Sequence, residues 1–444
     1  MTGAGVLHSL ADVEQALLAR WPESRIEPSL QRTTALMATL GSPQRSFPVI
    51  HVTGTNGKTT TARVIDDLLR EAGLRVGRYT SPHLQTVRER IVVDGEPLDA
   101  ERFVAAHQRI AAAVAEVDAS SPVPLSFFEV VTAMAYVTFA DLAVDVAVVE
   151  VGLGGTWDAT NVADGEVAVI TPIGLDHVEL LGPDEVSIAR EKAGIIKPGA
   201  VAVLAGQTPA VDEVLTRRAQ DVHASVVHVG GDVQVVWRAA QPHGQRLGLR
   251  GASPQYQDLA VYLPLLGRHQ AENALTALAA VEAFLGPRGR LPSPEAVRRA
   301  LAQVRSPGRL ETLRTDPHVL VDASHNPAGM AVSTAALREA FPATEFIGVV
   351  AVLADKDVAG MLASLSDLVA EVVVTGNGSP RCLPPADLAD VAAKTLGRRR
   401  VSVVPDLPGA LELAVQRATT SPGRAAVLVT GSVVTAGEAR ALLT

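Results

Sequence analysis

Val49-Ile-His-Val-Thr53, Gly54-Thr-Asn-Gly-Lys-Thr-Thr60 and Ala62-Arg-Val-Ile-Asp-Asp-Leu-Leu-Arg-Glu-Ala72 are the stretches that decide the fold. A β-branched apolar run enters a glycine-interrupted turn, which opens onto a helical pattern with Val64, Ile65, Leu68, Leu69 and Ala72 on one face. In a strand, tight loop, helix context, backbone N–H groups and the helix dipole at the helix start favour an anion. Lys58 is placed to reach the β- and γ-phosphates of a nucleotide, and the hydroxyl of Thr59 or Thr60 lies near its magnesium ion. The candidate nucleotide loop is therefore Gly54, Thr55, Asn56, Gly57, Lys58, Thr59 and Thr60. The usual signature has a glycine five residues before Gly57; Val52 stands there, and the leading glycine is Gly54. A plain turn with an exposed lysine is the competing reading, and the flanking strand and helix patterns weigh against it.

At 444 residues the chain exceeds what one core supports, so two domains are expected. A composition of 47% hydrophobic and 20% charged residues is that of a soluble globular protein. Aromatic residues make up only 3%, so the cores must be built from Ala, Val and Leu. A net charge of −9 argues against a nucleic-acid groove, and Arg398-Arg-Arg400 reads as a solvated edge. The single cysteine, Cys382, excludes an internal disulfide and suits a reducing compartment. The N-terminus does not resemble a signal peptide, and no apolar run is long enough to span a membrane. These features predict a cytoplasmic protein with no membrane or nucleic-acid partner, acting as a monomer.

Leu10 to Trp21 has a helical pattern, and a polar connector with Pro28 and Arg32 follows. Gly73 ends the helix after the phosphate loop, and Arg75–Tyr79 reads as the second parallel strand. Pro82 keeps Thr80-Ser-Pro-His-Leu84 a loop. Arg90–Val93 with Asp94-Gly95 forms a short strand and turn, and Asp99 caps a long helix to about Val117. A buried helix follows Leu125–Glu129. The run Val144–Val151 is apolar apart from Asp145 and Glu150, as a strand covered on both faces should be. Strand 166–171, a loop at Gly174–His177, a helix from Ser187 to Ile196 and a further strand, helix and strand lead to Val229. Residues 233–266 suggest a small antiparallel sheet. Helices over 269–285 and 294–304 complete a first domain, 1–305. Ser306-Pro-Gly308 is the linker candidate. From Arg309 six strands (310–314, 318–322, 345–352, 371–376, 400–404 and 425–430) alternate with helices as a second α/β domain, 306–444. The fold class is thus α/β: a P-loop ATPase-type domain with a mainly parallel sheet and a small antiparallel sheet, then a smaller Rossmann-like domain.

Lys58, Ser81, Glu150 and His177 all fall at strand carboxyl ends or in the loops beyond, where open α/β sheets bind ligands. Ser, Glu and His suit a divalent ion at nucleotide phosphates. Glu150 is the most informative, because a carboxylate ending an apolar strand is costly to bury unless a metal or cation partners it. Lys192 lies beside Ala189, Ala193 and Ile196, where composition alone reads as a lysine reaching for solvent. In Val319-Leu-Val-Asp-Ala-Ser-His-Asn326, Asp322 and His325 repeat the device of a strand followed by a polar loop.

The ordered set Gly-Thr-Asn-Gly-Lys, Thr-Ser-Pro-His-Leu, Glu-Val-Gly-Leu-Gly-Gly, Asp-Ala-Thr-Asn, Asp-His, Glu-Lys-Ala-Gly-Ile-Ile-Lys and Asp-Ala-Ser-His-Asn-Pro resembles the folylpolyglutamate synthase/dihydrofolate synthase family of Mur-ligase-like ATP-dependent amide ligases. The resemblance covers the chain from about residue 25. It implies that Gly54 to Thr60 hold ATP, with Asn273, Arg309 and Asp322 as further ATP contacts. It also implies that Ser81, Glu150 and His177 ligate magnesium, two ions being expected. Lys192 falls on the lysine that CO₂ converts to a carbamate, a carboxylate-like ligand. Ser126, Phe127, Phe128 and Glu129, with Trp157, Asp158 and Ala159, match the stretches near the pteroate. Two departures stand out. Gly57-Lys-Thr-Thr60 replaces the Gly-Lys-Gly-Ser of many members, and Thr156 stands where many have Arg.

The resemblance implies that ATP phosphorylates a carboxylate of dihydropteroate or of a folate's terminal glutamate, and that the amine of L-glutamate attacks the acyl phosphate. Lys58, Lys192 and His325 are the expected catalytic residues, His325 orienting the acyl phosphate or receiving the amine. Substrates are expected between the domains, with Arg309 and Asp322 closing on the nucleotide. A cell-wall Mur ligase is the nearest alternative, but only 53 residues precede Gly54, short for the usual additional domain of at least roughly 50–100 residues plus a linker. A nucleotide switch without ligase chemistry is the other alternative, and it leaves Glu150, His177 and Lys192 without a joint purpose.

Overall fold

Val49–Thr53 (β1) is buried at every residue, the mark of a strand inside a sheet covered on both faces. In the computed structural model, which describes residues 7–22, 27–421 and 425–444, β1 lies within an eight-stranded sheet. The other strands are Val76–Tyr79 (β2), Ile91–Val93 (β3), Glu96–Pro97 (β4), Val146–Glu150 (β5), Gly165–Ile170 (β6), Val201–Leu204 (β7) and Ser225–His228 (β8). Their spatial order is β4-β3-β2-β5-β1-β6-β7-β8. β1 runs parallel to both β5 and β6, and only β3 and β4 add antiparallel pairings at the edge. The register sets Val52 opposite Glu150, so the carboxyl ends of β1 and β5 open side by side.

Both faces of this sheet are covered. On one side Phe103, Ile110, Met134 and Phe139, from the helices Ala100–Ser120 and Phe127–Asp141, build a core of buried residues. Asp99 caps the first of these helices through the Arg102 N–H, as its sequence predicts. Further along the same face Ile188, Ala189, Ile195 and Leu215 pack against Ala168, Ile170 and Leu204, and the opposite face is covered by the helix Lys58–Glu71, whose Val64, Ile65 and Leu68 are buried. The helix Lys58–Glu71 starts directly from the phosphate loop with no side-chain cap, Gly57 standing at its N-cap with φ +89°. Its first N–H groups are therefore left for an external acceptor.

Gln234–Gln241 (β9), Gly244–Arg250 (β10) and Leu259–Leu263 (β11) form the small antiparallel sheet, in the order β11-β10-β9. The last sheet has six strands: Glu311–Thr315 (β12), His318–Val321 (β13), Glu345–Val350 (β14), Val369–Val374 (β15), Val401–Val403 (β16) and Ala425–Thr430 (β17). Their order is β12-β13-β17-β14-β15-β16. The chain divides into two compact units. One holds the described residues up to Val236 with Leu249–Leu259 and Glu272–Leu301, and the other holds Trp237–Gly248, Ala260–Ala271 and Ala302–Thr444.

Three local expectations need correction. The expected polar connector contains a helix, Gln31–Thr39, whose Thr33, Leu36 and Met37 are buried; it lacks a side-chain cap and a strong apolar stripe, so tertiary burial rather than local pattern forms it. β12 and β13 do not alternate with a helix but pair as an antiparallel hairpin. The helix expected over 187–196 is Glu185–Lys192 followed by a tighter turn at Ala193–Ile195. Among the described residues no helix is long and apolar enough to cross a membrane. Leu362 is fully buried in the core of the second unit; Leu362→Ala is expected to cost about 2–5 kcal/mol in urea denaturation.

Candidate active site

The phosphate loop is held open by its own backbone. Thr55 N–H and Asn56 N–H donate to Pro172 O at 3.0 and 3.4 Å, and Thr55 Oγ1 donates to Gly174 O at 3.0 Å. Gly54 packs on Thr171. Gly57 combines a positive φ with a close neighbour: a Cβ there would lie 2.5 Å from Asn273 Oδ1. Only glycine fits, and Asn273 is brought to the loop as expected. Lys58 Nζ curls back to donate to Gly54 O and Thr55 O, both at 3.1 Å. Thr60 is buried at the helix start.

Thr59 Oγ1 donates to Glu150 Oε1 at 2.9 Å, and the Ser81 N–H donates to Glu150 Oε2 at 3.3 Å. Glu150 is only 1% exposed. One buried carboxylate thus joins the phosphate helix, the end of β5 and the Ser81 loop. Glu89 secures that loop from beneath, accepting the N–H groups of Leu84, Gln85 and Thr86, each at 2.9 Å. Arg90, buried below, donates to His83 Nδ1 at 2.9 Å and lies 4.9 Å from the Phe127 ring centroid.

Lys192 is 4% exposed, and its ammonium is pushed down to about 7, first by burial and then by Lys58, against Asp176, Asp158 and Glu191. The expected solvent-reaching lysine is therefore an interior one. The glycine loop after β5 encloses it. Thr53 Oγ1 donates to Gly154 O at 2.9 Å, and a Cβ on Gly155 would lie 2.7 Å from Glu191 O and 2.8 Å from Lys192 O. Thr156 donates to Glu191 O through both N–H and Oγ1 at 3.0 Å. It caps the end of the Lys192 helix.

Asp158 is buried and accepts from Leu153 N–H at 2.9 Å, Thr160 N–H at 2.9 Å and Thr160 Oγ1 at 2.5 Å. Burial raises its carboxyl while these hydrogen bonds oppose the rise. His51, pushed down to about 3 by burial and then Lys197, sits neutral beneath, with Nε2 2.9 Å from Thr160 Oγ1. Trp157 is half-buried against this loop, its N–H donating to Glu191 Oε1 at 3.3 Å, and Ala159 is buried. Ser126 and Glu129 form a reciprocal capping box for their helix. Glu129 also accepts from Arg32 Nε at 3.0 Å and from Thr33 Oγ1 at 3.3 Å. Phe128 stacks on Tyr79 at 5.9 Å and lies against Gly152.

His177 follows Asp176, whose carboxylate accepts the His177 N–H at 3.0 Å, and its own side chain is 44% exposed in left-handed backbone. Among the described residues no three His, Cys, Asp or Glu side chains gather at metal-ligand spacing; the expected set contains only two such groups. Its chemistry still suits a hard cation. Glu150 offers carboxylate oxygens at the mouth of the phosphate loop, beside the Thr59 hydroxyl and the backbone N–H of Ser81.

In the second unit, buried Asp322 directly follows β13 and accepts from Leu310 N–H (3.1 Å), Ser324 N–H (3.3 Å) and Ser333 Oγ (2.8 Å). His325 Nδ1 lies 3.1 Å from Ala323 O; a carbonyl only accepts, so Nδ1 carries the proton and the neutral ring's basic atom is Nε2. Arg309 is half-buried and raises the cost of charging His269, which is pushed down to about 4, chiefly by burial. The sequence reading passes over Thr53 and Glu89. Arg88-Glu-Arg90 just after the proline loop was the available signal for the second.

A nucleotide loop facing a buried acid, followed by a second α/β unit, defines an ATP-dependent ligase architecture. Residues 52–281 match the Mur ligase middle domain, and residues 308–433 match the Mur ligase glutamate ligase domain. The chain is 48% identical to the dihydrofolate synthase/folylpolyglutamate synthase of Mycobacterium tuberculosis, over 98% of this chain and 94% of that one. It superposes on the M. tuberculosis folylpolyglutamate synthase complexed with ADP with a TM-score of 0.91 at 48% identity, covering 98% of both chains. The Escherichia coli FolC complex with DHPP and ADP gives a TM-score of 0.84 at 31% identity, also over 98% of both. This chain belongs to the dihydrofolate synthase/folylpolyglutamate synthase family of Mur ligases, the ATP-dependent glutamate ligases.

Gly155→Ala should press a methyl group into the backbone of Lys192 while leaving the two cores intact. Turnover is expected to fall about a hundredfold if Lys192 serves the chemistry, and the clash with backbone to cost about 1–3 kcal/mol of stability; steady-state kinetics beside urea denaturation checks both.

Proposed function

We propose that this chain joins L-glutamate both to dihydropteroate and to the terminal glutamate of a reduced folate, through an acyl phosphate. The observation that carries this reading is the convergence at the ends of β1 and β5 of an uncapped helix start, Lys58 and the buried Glu150. The relatives solved with ADP, and with DHPP and ADP, support it. A carboxylate oxygen of the substrate attacks the γ-phosphorus of ATP and ADP leaves. The glutamate amine then attacks the acyl carbon; the C–O bond breaks, inorganic phosphate departs, and the neutral amine gives up one proton as the amide, which keeps its other N–H, forms.

In this reading Gly54–Thr60 and Asn273 hold the nucleotide, with Arg309 and Asp322 as contacts from the second unit. Lys58 leaves the loop carbonyls to meet developing phosphoryl charge. His325 Nε2 takes a proton from the attacking amine. Ser126, Phe127, Phe128 and Glu129, with Trp157, Asp158 and Ala159, frame the pterin-bearing substrate; Phe128 and Trp157 supply the apolar surface, while Ser126, Glu129 and Asp158 act by holding the backbone. Residues 1–305 serve as the nucleotide domain and 306–444 as the C-terminal domain of a cytoplasmic monomer.

Glu150, Ser81, His177 and Lys192 would hold two magnesium ions, which when bound neutralise charge on the transferred phosphoryl group. Lys192 joins them as a carbamate: its neutral amine adds to the carbon of CO₂, forms the N–C bond and releases a proton. Burial favours that neutral amine, and the product offers the oxygens that an ammonium lacks.

Phosphate release with ATP, magnesium and L-glutamate, adding dihydropteroate or tetrahydrofolate separately, tests the reading: both should support turnover, and tetrahydrofolate alone would reduce the protein to a polyglutamylase. Lys192→Ala should be nearly inactive and partly restored by formate or acetate in the millimolar range, which supply the missing carboxylate. Lys192→Arg should be inactive and unrescued, since guanidinium keeps its charge and fills the space. Full activity in Lys192→Ala would dismiss the carbamate.

A further inference from the structure

The glycine loop after β5 ends on Asn161, a residue that the chemistry leaves unused. Asn161 is only 5% exposed and stands in the tight turn Ala159–Val162. Its Nδ2 donates to Thr156 O at 3.0 Å and to Gly194 O at 3.4 Å. Carbonyl oxygens only accept, so the amide has to turn its NH2 toward them and its orientation is fixed. The opposite atom, Oδ1, is buried and among the described residues has no hydrogen-bond partner. The fold thus uses the two donors of this amide and leaves its acceptor idle.

What the two donors hold is the backbone around Lys192. Thr156 N–H and Oγ1 both donate to Glu191 O at 3.0 Å, which anchors the residue before Lys192. Asn161 anchors Gly194, two residues after Lys192, in the turn Ala193–Ile195 that begins where the helix ends. Packing there is as close as the bonding: a Cβ on Gly194 would lie 2.2 Å from Thr156 Oγ1 and 2.6 Å from Thr156 Cα. Because Asn161 also bonds Thr156 O, the two anchors are tied to each other. Asn161 is itself firmly seated. Its N–H donates to Asp158 O at 2.8 Å, its O accepts from Lys197 Nζ at 3.3 Å, and the adjacent Thr160 O accepts from the Tyr136 hydroxyl at 2.7 Å. Trp157, Asp158 and Ala159 lie in the chain between Thr156 and Asn161.

We propose that Asn161 is a positioning residue that makes the 157–159 loop and the turn carrying Lys192 one rigid body, so that seating the pterin-bearing substrate on the loop fixes Lys192 for phosphoryl transfer. The proposal rests on the reading of Trp157, Asp158 and Ala159 as the substrate's frame and of Lys192 as part of the phosphate site. Order given to the loop then passes to Lys192 through hydrogen bonds that cross 33 residues of sequence. The coupling is reciprocal: a settled Lys192 also favours the loop conformation that holds substrate.

The test is hydrogen exchange read by mass spectrometry on the full chain holding ADP and magnesium, with and without dihydropteroate, for the wild type and Asn161→Ala. In the wild type dihydropteroate should slow exchange in 152–162 and in 193–197 together. In Asn161→Ala the first segment should still respond, while the second loses most of its protection. Turnover should fall about tenfold with the KM for ATP within about twofold, because the nucleotide loop is untouched. Should Asn161→Ala fail to fold by circular dichroism, Asn161→Ser, whose single hydroxyl cannot span both carbonyls, replaces it with the same expectation. A merely structural asparagine would, on removal, raise exchange with and without dihydropteroate alike and leave the substrate-induced difference in place. That result, or wild-type turnover in the variant, overturns the proposal. The two levels fail separately. If dihydropteroate protects neither segment of the wild type, the substrate reading of the loop fails and takes the proposal with it; if it protects 152–162 in both proteins but 193–197 in neither, only the clamp fails.

Discussion

A single carboxylate, buried Glu150, ties three separate segments of the chain together at the candidate site. It ends β5, it is held by the first turn of the helix that follows the phosphate loop, and it receives an N–H from the Ser81 loop. Three segments separated by up to about ninety residues must therefore agree to within an ångström. Such a group is unfavourable to bury for stability alone, since hydrogen bonds only partly repay its lost hydration. Its position at the mouth of an uncapped helix is where a cation and a polyanion together would repay it.

The same economy explains the second half of the site. Lys192 is buried because a glycine loop is laid on its backbone, and the loop stays there because Thr53, Thr156 and Asp158 each bond it or its neighbours. Thr53 ends the very strand that leads into the phosphate loop. Displacing either loop therefore disturbs the other, and the two cations Lys58 and Lys192 are held close enough to lower the second one's proton affinity. Proximity is purchased with glycine rather than with contacts between the cations themselves.

Much of this was legible in the sequence. The long apolar run to Glu150 and the glycine-broken turn after Thr53 specify central parallel strands by burial and chain geometry, properties local to a few residues. All six strands of the second sheet were found for the same reason. The helix Gln31–Thr39 was not, because its buried face of Thr33, Leu36 and Met37 depends on partners distant in sequence. The β12–β13 hairpin was missed because its turn at Asp316-Pro317 resembles any crossover start. Within the site, position along strands revealed Glu150, while the burial of Lys192 was invisible: its helix has no apolar stripe that marks it as interior, and Gly155 acts on it from thirty-seven residues away. Thr156 shows the limit of reading by resemblance. Where many members carry arginine, this chain has a helix cap, and only coordinates reveal that second use.

Charge distribution resolves what looks like a contradiction. The chain carries a net charge of −9, yet the chemistry asks it to gather a triphosphate and dicarboxylates. Long-range attraction is weak at physiological salt, where screening falls off over about 8 Å, so the global sign matters little to a bound anion. What matters is the local set: Lys58 in the loop, Lys192 close enough to feel its charge, and uncapped N–H groups at the start of Lys58–Glu71. Against them stand Glu150, Asp158, Asp176 and Glu191, each near neutral donors or a cation. A site balanced this closely changes its net charge when Lys192, lowered to about 7, gains or loses a single proton. Each such change alters the field on the transferred phosphoryl group, which is the quantity that a ligase of this kind has to control.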